Sequence, residues 1–344
     1  MVALIVVLIV VALATRMGRD FYVLERTVEV QEENSQAQQW LLGAETLARE
    51  ALLLDLKSGS KTDSTVEPWA QPRELPLPQG VMTLCLVDLQ ARLNLNQFGS
   101  AASEGLGPLQ KRFIRLLQVL PLPAAPGEEE AIAIANAVFD WVDADGQRRN
   151  PGGAEELDYV QLGRAYRPAN GSFTSINELK LVAGVTPELF AALTHFVSVW
   201  GNGQVNLNTV DAQLQAANSQ AIVDAPMPVL LRVLGAKEGL RPLTVEAAAQ
   251  IVATRSRKGG VFDSLEPFRQ LPLALVPWEL EGLGVSSDYF QMTAVFQNAS
   301  NHRHRLRAVL ARELDAAGRP RVVVKSRQMD HGVIEAGADC AVAP

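Results

Sequence analysis

The sequence predicts an α+β fold in which a long N-terminal helix packs on an antiparallel sheet, with a large inserted α-helical domain interrupting the sheet. Three observations carry this prediction. They are helical apolar spacing over the first part of the chain, strand-like stretches at both ends of the remainder, and helical patterning between them. With 344 residues, 48% of them hydrophobic, the chain is long enough for one to three domains and a sizeable core.

The N-terminal helix is predicted over residues 2–57. The chain opens with the uncharged run MVALIVVLIVVALAT, which is shorter than the roughly 20 residues that cross a bilayer. It lacks the basic stretch and small-residue cleavage site of a signal peptide. Apolar residues then continue at steps of three and four, at Met17, Phe21, Leu24, Val28, Ala37, Trp40, Leu41, Ala44, Leu47, Ala48 and Ala51. We expect one helix about 80 Å long, with its first third suited to lipid and the rest to packing on a globular head. Both an ordinary anchor with a core helix and a filament stalk fit this pattern.

The strands are predicted at two distant places in the chain. Residues 58–79 are rich in Ser, Thr and Pro and are predicted to be a loop, whereas residues 80–96 have strand-like content. Three further strands are predicted at 288–297, 304–314 and 319–329, separated by the turn sequences NASNHR and DAAGRP. One early strand and three late strands indicate a single antiparallel sheet with a long, helical insertion.

Four segments follow from this patterning. Residues 1–57 form the transmembrane and assembly helix, 58–96 together with 286–344 the head, 97–204 an inserted helical domain with an acidic loop, and 205–285 a second helical segment. Thr186 followed by Pro187 marks one helix start within the insertion.

An acidic stretch in the insertion, DWVDADGQRRNPGGAEELDY at 140–159, is the richest candidate for chemistry. Its carboxylates repel one another unless they are solvated or neutralised by a cation, and its glycines allow several oxygens to converge. Hard oxygen ligands in a flexible loop favour Ca²⁺ over Zn²⁺. The spacing is not that of an EF-hand, since Arg148 stands where Gly is required and Ala154 where Glu is required. A solvated acidic loop with Asp140 or Asp143 as a helix cap stays open as the alternative.

The composition and motifs argue against several functions. The net charge of −7 does not favour nucleic acid or an anionic membrane surface as the main partner. The sequence contains no GxSxG, HExxH, Walker A or GxGxxG motif, so we expect no enzymatic activity, with an acidic-site hydrolase as the weaker alternative. Cys85 and Cys340 make no metal spacing, and a disulfide or two free thiols are both open.

Residues 205–285 are also compatible with a second function. VNLNT, LLRVLG and TVEAAAQIVATRSRKGGVFDSLEPF resemble a helix-hairpin-helix module, in which Arg255, Arg257 and Lys258 would supply charge toward phosphate. The intervening stretch 210–229, the acidic chain and the missing second basic hairpin favour a likeness of fold without DNA binding. A membrane-anchored DNA-binding protein is therefore the alternative function.

In order and spacing, the chain resembles the type II secretion system minor pseudopilin K family over nearly its full length. The matching pieces are VALIVVLIVVALAT, WLLGAETLAREALLLDL, EPWAQP, LPLPQG, DLQARLNLN, DWVDADGQ, GAEELDY, YRPANGSFTSINELKLV and VNLNT. The resemblance implies a pilin-like head with a large helical insertion that binds calcium. The calcium loop of the family maps onto Asp143, Asp145, Gln147, Glu155, Glu156 and Asp158.

The resemblance also implies a place in an assembly. Such proteins are cut by prepilin peptidase after a Gly, so Met1 or Val2 is the expected first mature residue. The Glu that most pseudopilins carry at mature position 5 is replaced here by Ile5 or Val6, which fits a subunit with no neighbour above it. We expect an inner-membrane, single-pass protein with a periplasmic head. It would cap the pseudopilus with minor pseudopilins I and J, above the major pseudopilin G, in protein export across the outer membrane.

Overall fold

The computed structural model describes residues 2–100, 105–161, 165–210, 229–234, 239–257, 261–266 and 280–332. Its helices are α1 (Val2–Ser58), α2 (Pro108–Val119), α3 (Glu128–Val142), α4 (Glu156–Val160), α5 (Pro187–Leu193), α6 (Val229–Val233) and α7 (Val245–Arg257). Its strands are β1 (Arg73–Leu77), β2 (Gly80–Asp88), β3 (Leu93–Asn94), β4 (Val197–Ser198), β5 (Val205–Asn206), β6 (Leu283–Gly284), β7 (Tyr289–Asn298), β8 (Arg303–Leu314) and β9 (Pro320–Gly332).

Helix α1 is continuous, which confirms the predicted long helix. Its buried residues are Ala37, Leu41, Ala44, Glu45, Ala48 and Leu52, which form one stripe against β7, β8 and β9. Residues 2–32 are exposed, so about 45 Å of helix extends beyond the head. Among the described residues, α1 is the one helix whose length and composition suit it to crossing a membrane.

The expectation that the helix packs on the head beyond its first third is wrong for the part up to residue 32, which is exposed. Met17, Phe21, Leu24 and Val28 are all exposed, because this part of α1 lies beyond the end of the sheet. The helix therefore carries an apolar stripe, defined by these four residues, that the head does not cover.

The sheet has the order β1-β2-β7-β8-β9, with antiparallel pairing throughout. The three predicted late strands are confirmed. The predicted loop at 58–79 is wrong over β1, which pairs with β2 across a tight turn and tolerates Pro76 because it is an edge strand. The predicted early strand is also too long, since β2 ends at Asp88 and a short 3₁₀ turn follows.

The insertion leaves and rejoins the sheet between two strands that are direct neighbours. Asp88 at the end of β2 is paired with Phe290 near the start of β7. The short parallel pairs β3–β4 and β5–β6 lie within the inserted part of the chain. Buried apolar residues form one cluster between α1 and the sheet and another within the insertion. The four segment boundaries given above stay a prediction.

A buried polar junction, defined as Asp55, Asp63, Asp88, Asn206, Ser287 and Arg312, joins these parts. Arg312 lies 2.6 Å from Asp63 and 2.7 Å from Asp55, which places the end of α1 against β8. Asn206, at the start of the second inserted segment, donates to Ser287 at 2.8 Å and to Asp88 at 3.2 Å. The insertion is thus fastened at the C-terminal end of α1, far from the apolar N-terminal part.

Cys85 lies in β2 and is disulfide-bonded. Cys340 and residues 211–228, which make up most of the intervening stretch 210–229, lie outside the described residues.

Candidate metal centre

The acidic loop starts at the C-terminus of α3, which the insertion core holds in place. Phe139 and Trp141 are buried in that core, and Asp143 ends the helix by donating its N–H to the carbonyl of Phe139 at 2.9 Å. The chain then folds back along α3 through Gly152 and Gly153. A Cβ at Gly153 would lie 2.1 Å from the Asp140 carboxylate, so only glycine permits this close return.

Three carboxylates converge at this point. Each of Asp143, Asp145 and Glu155 offers an oxygen, and these oxygens all lie within 4.8 Å of one another. No ion pair joins the three to any residue that the structure describes. Arg149, close in sequence, places its guanidinium over the ring of Phe139 at 3.3 Å. Within the described ranges, the convergent negative charge therefore has no cationic side chain bound directly to it.

Buried oxygens without hydrogen-bond donors are a second feature of the site. In the part of the chain that the structure describes, four buried side-chain oxygens have no donor: one on Asp143, both on Glu155, and the amide oxygen of Asn170. Three of the four are on Asp143 and Glu155, whose carboxylates converge with that of Asp145. The fourth is on Asn170, whose amide nitrogen donates to the backbone carbonyl of Asp145. Buried carboxylate oxygens without donors are costly, and a hard cation is the partner that satisfies several of them at once.

The pKa values of three carboxylates in this loop are raised, which means that their charged forms are disfavoured. Burial, followed by the charge of Asp145, raises the pKa of Asp143 to about 6. Burial, followed by the charges of Asp140, Asp143 and Asp145, raises the pKa of Glu155 to about 7. Burial also raises the pKa of Asp140 to about 6, although the backbone N–H of Arg149 lowers it. An oxygen-only donor set under mutual repulsion fits a hard divalent cation such as Ca²⁺.

The other three residues of the predicted ligand set lie around this centre with different partners. Glu156 forms an exposed ion pair with Arg167 at 2.9 Å. Asp158 accepts the N–H of Glu155 at 2.9 Å and pairs with Arg148 at 3.1 Å. Gln147 is exposed, and its backbone N–H donates to Asp145 at 2.8 Å. The structure thus brings together three of the six, and the ligand set as a whole stays a prediction.

Sequence reasoning missed Asn170, which lies well beyond the acidic stretch. Its side-chain N–H donates to the backbone carbonyl of Asp145 at 3.1 Å. The one local signal was the Asn-Gly pair at 170–171, which is typical of a tight turn but does not indicate what the turn approaches.

The basic residues of the possible helix-hairpin-helix module do not form a phosphate site among the described residues. Arg255 donates to the carbonyls of Leu207 at 3.0 Å and of Val210 at 3.2 Å, so its guanidinium is directed into the fold. The side chain of Arg257 and the whole of Lys258 lie outside the described residues.

Helix α1 is partly exposed and apolar at its start, an antiparallel sheet packs on its second half, and a helical insertion carries an acidic loop. Together these features define a pilin-like subunit whose N-terminal helix is long and apolar enough to cross a membrane. The sequence profile described as "Type II secretion system (T2SS), protein K" matches residues 91–202. Type II secretion system protein K of Klebsiella pneumoniae is 30% identical over 267 residues, covering 75% of this chain and 77% of that protein. The chain belongs to the type II secretion system protein K family.

Other similar proteins agree with this family. Type II secretion system protein K of Aeromonas hydrophila is 28% identical over 328 residues, covering 92% of each chain. The counterpart from Pseudomonas aeruginosa is 31% identical over 244 residues, covering 65% of this chain and 71% of that protein. A chain in the crystal structure of the GspK-GspI-GspJ complex from enterotoxigenic Escherichia coli has the same fold. Its TM-score is 0.69 at 24% identity, covering 89% of this chain and 99% of that one. None of these matches supports the DNA-binding alternative.

Proposed function

We propose that this protein is the minor pseudopilin that caps the tip of the type II secretion pseudopilus, anchored in the bacterial inner membrane before assembly, with its head in the periplasm. Its role is assembly for protein export, and it is not an enzyme. The observation that carries the proposal is the position of the insertion. The polar junction fastens it at the C-terminal end of α1, about 80 Å along the helix from Val2.

The insertion lies where a further subunit would be added, which is why its position supports capping. In a filament whose subunits bundle their N-terminal helices side by side, a further subunit would have to sit beyond the C-terminal end of α1. The insertion occupies that end, because it leaves the sheet at Asp88 and returns before Tyr289. Bulk at this place hinders addition above while leaving the exposed half of α1 free to bundle below.

The proposed partners are minor pseudopilins I and J, with the major pseudopilin G below them and prepilin peptidase acting during maturation. The solved structural neighbour is a K protein in complex with I and J proteins, which supports the same pairing for this chain. The apolar stripe of Met17, Phe21, Leu24 and Val28 supplies the kind of surface that helix bundling would cover. Packing along α1 from Met17 to Leu56 would join the subunits.

The partner proposal can be tested with two matched valines on α1. Val28 belongs to the apolar stripe, whereas Val30 is also exposed and lies about 160° away around the helix. We expect Val28→Glu to reduce co-purification of the full-length chain with I and J proteins from detergent extracts at least tenfold, because the charge would be buried without a partner. Val30→Glu should retain it. Equal recovery from both variants, or no complex with the unchanged chain, would overturn the assignment.

The cation of the acidic loop is proposed to be Ca²⁺, bound by Asp143, Asp145 and Glu155, with Gln147, Glu156 and Asp158 as the outer members of the predicted set. The donor-free oxygens of Asp143 and Glu155 support this assignment. When bound, calcium would neutralise the loop and hold its return along α3. Extracellular-type sites bind calcium with dissociation constants on the order of 10⁻⁴–10⁻³ M, so EDTA should weaken the insertion without removing α1 from the membrane.

A further inference from the structure

We propose that residues 333–340 form a strap across the outer face of the sheet, which is the face that points away from α1. A disulfide bond between Cys85 and Cys340 fixes the far end of this strap, and ion pairing with three arginines of β8 holds its middle. The chain thereby covers this face with its own C-terminal segment, so partner proteins have to approach the head elsewhere.

Cys85 faces the side of the sheet opposite α1. Its neighbours in β2, Leu84 and Leu86, are buried with residues of α1 in one apolar cluster. Because side chains alternate along a strand, Cys85 lies on the outer face, where it is only 5% exposed. Cys85 is disulfide-bonded, and the sequence contains one other cysteine, Cys340. A bond within the chain therefore requires residue 340 to lie above the outer face.

The length of chain between β9 and Cys340 fits this crossing. The pairing register places Gly332, at the end of β9, in the same row as Val81 of β2. Cys85 therefore lies three strand spacings across the sheet and four residues along it from Gly332, or about 14 Å and about 13 Å, which is about 20 Å in all. Eight extended residues span about 26 Å, so the strap reaches Cys85 with little slack.

The outer face of β8 carries positive charge where the strap would cross. Arg303, Arg305 and Arg307 alternate along β8 on this face and are called here the arginine ladder. Arg305 and Arg307 share the carboxylate of Asp330, at 2.8 Å and 3.2 Å. Among the residues that the structure describes, Asp330 is the one carboxylate in an ion pair with this ladder. Three positive charges therefore face one negative charge.

The strap has the charge that complements the arginine ladder. Its sequence is VIEAGADC, which contains Glu335 and Asp339 and no Lys or Arg. Glu335 is the third of the eight residues, so it follows about one strand spacing after β9, which places it over β8. An ion pair on such a partly exposed face changes an equilibrium constant by about two- to fivefold.

Formation of the Cys85–Cys340 bond is an oxidation. The two thiols lose two protons and two electrons, which a disulfide in an oxidising compartment accepts through thiol–disulfide exchange. In the experiment below, oxidised glutathione is that acceptor, and each bond formed yields two molecules of reduced glutathione. The position of this equilibrium therefore measures how well the strap is held.

The first test changes the length of the strap in the full-length chain, purified in detergent micelles and mapped by mass spectrometry without reduction. The unchanged chain should give a peptide that links Cys85 to Cys340. Deleting residues 336–338 leaves five residues that span about 17 Å, so the linked peptide should fall at least tenfold. Ala336→Gly combined with Ala338→Gly keeps the length and should keep the bond. Two free thiols or a Cys85–Cys85 dimer in the unchanged chain, or full linkage after the deletion, would overturn the strap.

The second test removes the charge of Glu335 and measures the equilibrium of the disulfide bond with glutathione. Glu335→Gln should lower the equilibrium constant for bond formation about two- to fivefold, and high salt should remove the difference. Glu313→Gln is the matched control, because Glu313 also lies in β8 but pairs with Arg321 at 3.2 Å, away from the arginine ladder. An unchanged constant in Glu335→Gln, or an equal change in Glu313→Gln, would overturn the contact between strap and ladder.

Discussion

Replacing Glu155 with Gln tests whether the acidic loop is a cation site. Glu155 is only 7% exposed, and neither of its carboxylate oxygens has a donor among the residues that the structure describes. If these oxygens bind calcium, the substitution removes a charged ligand from the centre of the site. If the loop is merely a solvated acidic stretch, calcium should affect the unchanged chain and the variant alike.

The expected magnitude follows from binding linkage. For a site with a dissociation constant of about 10⁻⁴–10⁻³ M, 10 mM free calcium should raise the free energy of unfolding by about 1.4–2.7 kcal/mol. Glu155→Gln should lose most of this gain. In EDTA the order should reverse, because the amide no longer repels Asp140, Asp143 and Asp145, whose charges add to burial in raising the pKa of Glu155. The variant should then be at least as stable as the unchanged chain.

The assay is urea unfolding of the full-length chain in detergent micelles, with and without calcium, followed by tryptophan fluorescence. Trp141 lies at the start of the loop, 5.5 Å from the ring of Tyr159, and should report on this region. Glu156→Gln is the matched control, because Glu156 is the next residue but pairs with Arg167 at the surface. The reasoning is refuted if calcium stabilises Glu155→Gln as much as the unchanged chain, or if Glu156→Gln is the variant that loses the response.

Three further predictions concern the head, each measured by urea unfolding. Arg312→Met should cost about 3–5 kcal/mol by leaving Asp63 buried without its partner, and a cost below 1 kcal/mol would contradict the role of this pair. Burial raises the pKa of Asp88 to about 6, so its contribution to stability is fullest below about pH 4 and is lost as the pH rises through 6. Relative to Asp88→Asn, stability should fall by roughly 3 kcal/mol over that interval, and a difference that does not vary with pH would count against it. Leu41→Ala should cost about 3–5 kcal/mol, whereas Leu47→Ala, at an exposed position of the same helix, should cost far less.

The elements that could be predicted from the sequence are those with a local signal. The three-four spacing of α1 and the turn sequences between β7, β8 and β9 needed no knowledge of distant partners. Strand β1 was missed because its local composition indicates a loop, and its strand conformation depends on pairing with β2. The apolar spacing of Met17 to Val28 predicts the helix that the structure has there, but spacing alone does not indicate whether the surface that covers this stripe belongs to the same chain.

The candidate site was also predicted from the sequence only in part. The acidic stretch showed which residues could repel one another, but not which would meet. Glu155 and Glu156 are adjacent in sequence, yet one is buried beside Asp143 and the other is paired at the surface. That difference arises because the loop folds back at Gly152 and Gly153, where its backbone packs closely against α3. Asn170 reaches the site through a hydrogen bond between separate loops, for which the sequence carries no periodic signal.

The polar junction connects helix α1, which is proposed to bundle with other subunits, to the insertion, which is proposed to block addition above. Replacing a buried ion pair with apolar residues is often neutral or stabilising, so its retention is a weak argument for stability and a better one for geometry. Arg312 binds the end of α1 and the linker through Asp55 and Asp63, and Asn206 of the insertion donates to Asp88 and Ser287 of the same junction. Directional bonds of this kind hold the insertion at one angle to the rod, whereas an apolar contact would tolerate rotation. If the insertion could rotate relative to α1, it would not obstruct addition of the next subunit. The proposed function at the tip therefore requires the fixed orientation that this junction provides.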